Sequence, residues 1–426
     1  MHRLFLLLLI SLVSIADIKF DGIIEESEWS DAEVFDLPFE ISPSYNTEAE
    51  HETIVLIKND SSNLYVAFKA LGNQDYIRAG IRARDGINWL DDQVAIGIDT
   101  FGDGRYYVRF SANPLGSIGD NKVDNKDNFD GSDNVEFDAK ARVTEDGYEV
   151  EFVIPFSSLN FPDKQNQQLT LMLSRKLYNK GTESKYMNYA KIDGAGCIIC
   201  QSNEFYSVGN IVQKNKKRLI PSLTANSIRD RNQDGDMIEE PVDSEVSLGG
   251  EYEFNGNNFE FTFNPDFSQV EADQSKIDIN STTALRFDER RIFFNEGKDF
   301  LSSDLSTVYT RSINDPEYAL KLYNRGEKHS YYFLDAEDAT TPIIIPGYQR
   351  SYSGLLGKSH ANIFSYNYNI EKGQNIGFLA TNRDFEEGGN SALYSLKGNF
   401  LFNDIYRTQF ELVSTDMDEP VSDVIN

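Results

Sequence analysis

The feature that most constrains this chain is the alternation of aromatic or aliphatic residues with polar ones through its C-terminal half. Phe259, Phe261 and Phe263 alternate with Glu260 and Thr262, and Tyr252 and Phe254 precede them across a turn at Asn255-Gly256-Asn257. The pattern returns at Tyr318, Leu320 and Leu322; at Phe364, Tyr366, Tyr368 and Ile370; at Tyr394, Leu396, Phe400 and Phe402; and at Tyr406, Phe410 and Leu412. A period of two belongs to a β-strand, whose successive side chains point to opposite faces. Runs of about ten such residues with aromatic ends are the pattern of a transmembrane barrel strand. A soluble sheet with one face on a core has the same period, so periodicity alone leaves both readings open.

The N-terminus bears on that choice. His2 and Arg3 precede an apolar run from Leu4 to Val13, and Ser14-Ile15-Ala16 follows. A basic start, about ten apolar residues and small residues at the cleavage positions describe a secretory signal peptide over residues 1–16, with an uncleaved anchor as the alternative. An exported chain is expected. Beyond Ala16 no stretch reaches the roughly 18 apolar residues of a spanning helix, so any membrane insertion would be as a barrel. The 29 Phe and 22 Tyr against 2 Trp suit sheets and membrane-interface girdles. A closed barrel must pair its last strand with its first. Met417 to Asn426 is polar and lacks a terminal aromatic strand, so the barrel expected over residues 214–426 reads as incomplete.

A net charge of −29 argues against nucleic acid, which requires clustered Lys and Arg. It fits solvated loops, or acidic loops that attract divalent cations. The two cysteines, Cys197 and Cys200, stand as Cys-Ile-Ile-Cys. In an exported chain they read as a local structural disulfide or as two inert thiols. Two thiols are too few for a four-thiolate zinc site.

Residues 17–213 read differently. Short β runs at Thr53–Lys58, Leu64–Ala70, Gln93–Asp99, Tyr106–Ser111, Val135–Val143 and Tyr148–Ile154 are separated by Asp-Gly turns. That spacing predicts an antiparallel β-sandwich. The fold class expected is therefore all-β, a sandwich followed by an antiparallel barrel.

Several motifs in this region occur in a fixed order. Phe20-Asp21-Gly22 comes with Glu28-Trp29, then Trp89-Leu90-Asp91-Asp92, Ile98-Asp99-Thr100-Phe101-Gly102-Asp103-Gly104 and Asn113-Pro114-Leu115-Gly116. Asp146-Gly147-Tyr148 and Ile154-Pro155-Phe156-Ser157-Ser158-Leu159 close the set. Together they resemble family-9 carbohydrate-binding modules. Farther on, Pro265-Asp266-Phe267-Ser268-Gln269-Val270-Glu271-Ala272-Asp273 and Arg286-Phe287-Asp288-Glu289-Arg290-Arg291-Ile292-Phe293-Phe294-Asn295-Glu296-Gly297 resemble the start of a barrel. The whole is similar to bacterial outer-membrane proteins that join such a module to a β-barrel. The resemblance implies an outer-membrane location, lipid contact, and oligo- or polysaccharide binding linked to polysaccharide use.

Sugar binding asks for a flat aromatic against the ring face and planar polar groups for its hydroxyls. Trp29 reads as a core anchor and Trp89 as the stacking platform, with Asp91, Arg109 and Asn113 as polar partners. Relatives usually carry Trp within the region of Asn128–Phe137, where Phe129 or Phe137 would substitute here. Asp124, Asp127 and Asp130 sit in a loop that suits calcium or is simply solvated. Asp230 to Asp236 copies half of a calcium loop, but Pro241 occupies the position of the required glutamate.

No catalytic constellation is visible. The four histidines are scattered and no Gly-x-Ser-x-Gly occurs. Carboxylate pairs such as Asp91/Asp92 and Glu271/Asp273 keep a glycoside hydrolase as the alternative, alongside a purely structural sandwich packed on the barrel. The charged run Arg286 to Glu296 reads as an ion-pair network in the barrel lumen or at its periplasmic rim, with a plug or a substrate-sensing constriction as the functional alternative.

Overall fold

A computed structural model describes residues 18–418 except 73–74, 76, 88–90, 126, 132–133, 163–165, 179–183, 194–196, 203, 210–216, 227–228, 232–236, 240–242, 255, 266–288, 290, 327, 347–350, 372–373 and 403–405. The leader, Trp89, most of the second acidic loop and the Pro265–Arg290 stretch beyond its first residue and Glu289 therefore lie outside the described residues.

Strands dominate, as the period of two requires. The first sheet runs in the order β1 (Glu33–Asp36), β4 (Thr53–Asn59), β5 (Asn63–Leu71), β11 (Gly147–Pro155) and β10 (Asp138–Thr144). The second orders β3 (Thr47–Glu48), β2 (Phe39–Ser42), β13 (Ser184–Asn188), β12 (Asn166–Tyr178), β6 (Gln93–Asp99), β7 (Tyr106–Ala112), β8 (Ile118–Asp124) and β9 (Phe129–Asp130). There β14 (Glu204–Gly209) also pairs with β12. Every pairing in both sheets is antiparallel. Inward residues of the two sheets form one core. Val66, Phe68, Val150 and Phe152 meet Val94, Ile96, Phe110, Leu171 and Leu173, with Phe68 and Phe152 edge-to-face at 5.8 Å. This is the expected sandwich.

Trp29 is buried on the outer side of the first sheet, and its Nε1 donates to Glu151 Oε1 at 3.3 Å. Glu151 also accepts from the Asp21 and Gly22 backbone at 3.1 and 2.7 Å. Gly22 adopts φ +85°, a conformation that favours glycine. The Phe-Asp-Gly and Glu-Trp motifs thus fasten the chain's start to β11. Trp29 is the core anchor expected of it.

The C-terminal half forms a nine-stranded antiparallel sheet. Its order is β15 (Lys217–Asn226), β18 (Asp243–Phe254), β19 (Asn257–Phe263), β20 (Pro316–Arg325), β21 (His329–Asp338), β24 (Ser359–Glu371), β25 (Gln374–Phe385), β26 (Asn390–Phe402) and β27 (Tyr406–Asp418). Two hairpins project from it, β16 (Arg229–Arg231) with β17 (Met237–Glu239), and β22 (Thr341–Pro346) with β23 (Ser351–Leu356). Among the described residues the sheet does not close: β15 and β27 are its edges, β15 pairing with β18 and β27 with β26. The all-β expectation holds, and in place of a closed barrel the described residues form an open antiparallel sheet, in keeping with a barrel read as incomplete.

The two faces of this sheet are inverted relative to a soluble one. Phe364 and Tyr368 on β24, Phe333 on β21, Phe378 on β25, and Tyr394 and Leu396 on β26 are exposed. The alternate residues Lys321, Ser330, Ser365, Asn367, Ser395 and Asn399 are buried. Packed on that polar inner face are a short helix α1 (Ile292–Asn295) and the turns after it. Phe294, Phe300 and Leu301 join Tyr323, Tyr332 and Leu334 in a second core. No helix among the described residues is long and apolar enough to cross a membrane.

Candidate functional site

The sandwich and the inner face of the large sheet meet along a few specific contacts. Arg105 Nη1 donates to Ser330 Oγ at 3.0 Å, and Lys298 pairs with Asp130 at 3.2 Å. Arg325 is the centre of the junction. Its guanidinium pairs with Asp299 and lies 4.4 Å from the Tyr106 ring, 4.6 Å from Phe300 and 5.8 Å from Phe101. A desolvated guanidinium stacked on aromatic faces is a strong anchor.

Beside this junction lies a cleft of about 550 Å³. Its sandwich wall is Arg105, Tyr106, Lys122, Asp124, Asn125, Asn128 and Asp130. Its opposite wall comes from the helix-and-turn segment (Glu289, Asn295, Lys298, Asp304, Tyr309) and from the sheet (Asn367, Asn375, Lys397, Asn399, Gln409, Glu411). Seven of the lining side chains are carboxamides. A carboxamide offers a donor and an acceptor in one plane, the pairing that vicinal hydroxyls require.

The cleft's deep carboxylates are fully engaged. Glu289 takes Arg291 Nε at 2.8 Å and Nη2 at 2.7 Å, plus Thr310 Oγ1 at 2.7 Å. Burial pushes its pKa up, but the Arg291 and Thr310 hydrogen bonds outweigh it and hold the carboxyl below its ordinary value. Glu411 accepts from Ser303, Ser395 and the Asp304 backbone, each at 2.8 Å. Neither is a proton donor poised for glycosidic cleavage.

The residues expected from sequence are dispersed. Asn113 is fully buried; its Nδ2 donates to Gly80 O at 2.7 Å and its Oδ1 accepts from Leu115 N and Ser117 N at 3.1 and 2.9 Å. It holds a loop and, being fully buried, presents no surface to a ligand. Asp91 is buried against Arg82 at 3.4 Å. Phe137 packs 4.9 Å from Phe110 in the core, so it is no platform. Phe129 is exposed on β9, opposite Val123. Arg109 is half-buried on the outer face of the second sheet, where Nη2 donates to Gln93 Oε1 at 3.0 Å.

The calcium expectation meets a divergent geometry. Asp124 accepts from Asn128 N and Nδ2, both at 2.9 Å. Asp127 accepts from Ile198 N at 2.7 Å, and Asp130 pairs with Lys298. The three carboxylates turn to different partners, and no group of three or more candidate ligands forms a metal site among the described residues. Two of them, Asp124 and Asp130, line the cleft instead. Cys197 and Cys200 are disulfide-bonded, with Cα atoms 5.1 Å apart. Cys197 and Ile199 pack on Tyr107, Val123 and Met172 on the second sheet's outer face.

The cleft's sheet-borne carboxamides escaped the sequence reading. Their signal is the polar half of the alternation, as in Asn367-Tyr368-Asn369.

The chain matches no protein-family model and no curated protein. Among solved structures, a candidate carbohydrate-binding protein from Bacteroides uniformis is similar over 43% of this chain and 81% of that one, at 12% identity and a TM-score of 0.31. The likeness is too distant to bear on fold or function.

Proposed function

We propose that this chain is an exported carbohydrate-binding protein of the outer membrane, with its large sheet against lipid and an oligosaccharide held in the cleft. The observation that carries the sugar reading is the carboxamide-rich cleft beneath the sandwich. Polyols suit such a lining because the carboxamides, and the charged groups between them, offer each hydroxyl a donor or an acceptor. The lipid reading is supported by the exposed aromatic face on strands of ten to thirteen residues, β20, β21 and β24 to β27. A face of that size left to water would be a large aggregation surface, whereas it suits the outside of a membrane sheet. The saturated state of Glu289 and Glu411 favours binding over hydrolysis.

The test is calorimetric titration of the full chain, in detergent micelles, with a panel of oligosaccharides. Asn399→Ala and Asn367→Ala are expected to weaken the best ligand about tenfold each, the loss of one to two good hydrogen bonds. A folded protein that takes up no glycan at all removes the sugar reading. Recovery of the chain in the carbonate-soluble fraction of cells, free of membrane, removes the lipid reading.

A further inference from the structure

The two ends of the large sheet differ in how their strands are joined. At one end β18 turns into β19 between Phe254 and Asn257, and β20 into β21 between Arg325 and His329. At the same end β24 turns into β25 between Glu371 and Gln374, and β26 into β27 between Phe402 and Tyr406. Each of these turns spans two or three residues. At the opposite end the chain makes excursions from Asn226 to Asp243 and from Asp338 to Ser359, each carrying a projecting hairpin. A third runs from Phe263 to Pro316, and α1 with the turns after it packs on the inner face. The shortest connection there, Phe385 to Asn390, is still longer than any turn at the first end.

The sandwich stands at the short-turn end, and three contacts place it there. Arg325, against Tyr106, is the last residue of β20. Ser330, against Arg105, is the second residue of β21. Arg407, whose Nη2 lies 3.8 Å from Cys200 Sγ, is the second residue of β27. The cleft's Asn367, Asn375, Asn399 and Gln409 likewise lie toward the short-turn ends of β24 to β27.

The outer face of the sheet carries an aromatic rim at that same end. Tyr252 and Phe254 lie at the end of β18, Tyr368 near the end of β24, Phe402 at the end of β26 and Tyr406 at the start of β27, all exposed. Tyr252 and Phe254 stack at 5.6 Å, and Phe402 stacks on Phe400 at 6.4 Å. Lys217, which opens β15, holds its ammonium 5.0 Å from the Tyr252 ring. Aromatic rings gather where hydrocarbon gives way to headgroups, and a basic side chain beside them reaches out to that level. The rim puts the bilayer's edge at the level of the short turns, and the sandwich in the water beyond them.

Outer-membrane strands are joined by short turns on the periplasmic side and by longer loops outside. We propose that the sandwich and the cleft beneath it face the periplasm, so that the cleft's ligand is an oligosaccharide short enough to have crossed the outer membrane. A polysaccharide at the cell surface is on the wrong side to reach it. This assignment rests on the lipid reading of the large sheet given above. The hairpins β16–β17 and β22–β23 then face the medium. The excursion that carries α1 enters from outside and lies along the inner face, reaching the sandwich where Lys298 pairs with Asp130 at 3.2 Å.

The experiment is thiol labelling of the full chain in cells. Cys197 and Cys200 are bonded to each other, so one introduced cysteine is the only free thiol. Ala83→Cys places it on the sandwich and Glu387→Cys in the β25–β26 connection, both at exposed positions. The probe is a maleimide-linked polymer too large for porin channels. Glu387→Cys is expected to react in intact cells, and Ala83→Cys only after the outer membrane is permeabilised. Labelling of Ala83→Cys in intact cells, or of Glu387→Cys only after permeabilisation, overturns the assignment. In the second case, recovery of the chain in the carbonate-soluble fraction means that the lipid reading itself has failed, and recovery with the membrane means that the sidedness alone is wrong. With the unsubstituted chain, protease added to intact cells is expected to leave residues 18–213 uncut, and their loss overturns the proposal. Intact cells making the chain are expected to retain no more of a long polymer of the sugar found by calorimetry than cells lacking it. Retention that Asn399→Ala abolishes overturns the periplasmic ligand.

Discussion

Burial of acids inside the sandwich sets its response to pH. Asp92 is pushed up to about 6, chiefly by burial. Asp99, which accepts from the backbones of Phe101, Gly102 and Gly104, is also raised, by burial and then by the Asp103 charge. The unfolded values lie near ~3.9. Between those values and the folded ones the native state holds protons that the unfolded chain has released, so stability falls as pH rises through that window. Their favourable contribution is fullest below about 4 and is gone above the folded pKa. The carboxyls that hydrogen bonds lower against burial, Asp60 by the Ser62 and Asn63 backbone and Glu289 by Arg291 and Thr310, act in the opposite sense, but below their unfolded values near ~4. The melting temperature is therefore expected to be higher at pH 5 than at pH 7, with Asp92→Asn flattening the difference. A melting temperature that climbs steadily from pH 5 to pH 7 would contradict this account.

At the scale of elements, the outer face of the second sheet carries a small core of its own, Tyr107, Val123 and Met172 beneath Cys197 and Ile199. Gly97 makes that packing possible: a Cβ there would stand 2.6 Å from the Tyr107 ring. The turn Cys197–Cys200 lies over it, and its disulfide closes a loop of about four residues, which contributes about 2 kcal/mol on the chain-entropy account. The double substitution Cys197→Ser with Cys200→Ser should lower unfolding stability by about that amount in urea titration, without altering sugar affinity in the cleft. Unchanged stability would mean that packing on Tyr107 and Met172 holds the turn by itself. The large sheet obeys the same local rule with its faces exchanged. On β24 and β26 the aromatics Phe364, Tyr368 and Tyr394 point out and Asn367 and Asn399 point in, and the alternation by itself does not say which half faces the cleft.

For the whole molecule, the sandwich sits at the polar face of the sheet through contacts between residues far apart in sequence. Arg325 carries the junction, held by Asp299 and by the rings of Tyr106 and Phe300. Arg325→Ala is expected to speed amide hydrogen exchange in β7 and β8 at their Tyr106 and Asp124 ends by at least tenfold, while the inward-facing strands β4 and β5 keep parental protection. Parental exchange rates throughout would mean that the remaining contacts suffice to hold the two layers.

What the sequence alone determined follows from short-range physics. A period of two is written in neighbouring residues, so the strands of the sandwich and of the large sheet were legible, as were the Asp-Gly turns and the anchoring role of Trp29. Tertiary structure alone decided which aspartates and asparagines share a space. Arg105 meets Ser330 across 225 residues and Lys298 meets Asp130 across 168. Strand order and register set those meetings, and no local pattern encodes either. For that reason Asn113 read as a ligand contact and proved to be a loop clamp. The aspartates read as a calcium loop parted to separate partners. The cleft that gathers two of them was formed only when the sandwich met the sheet.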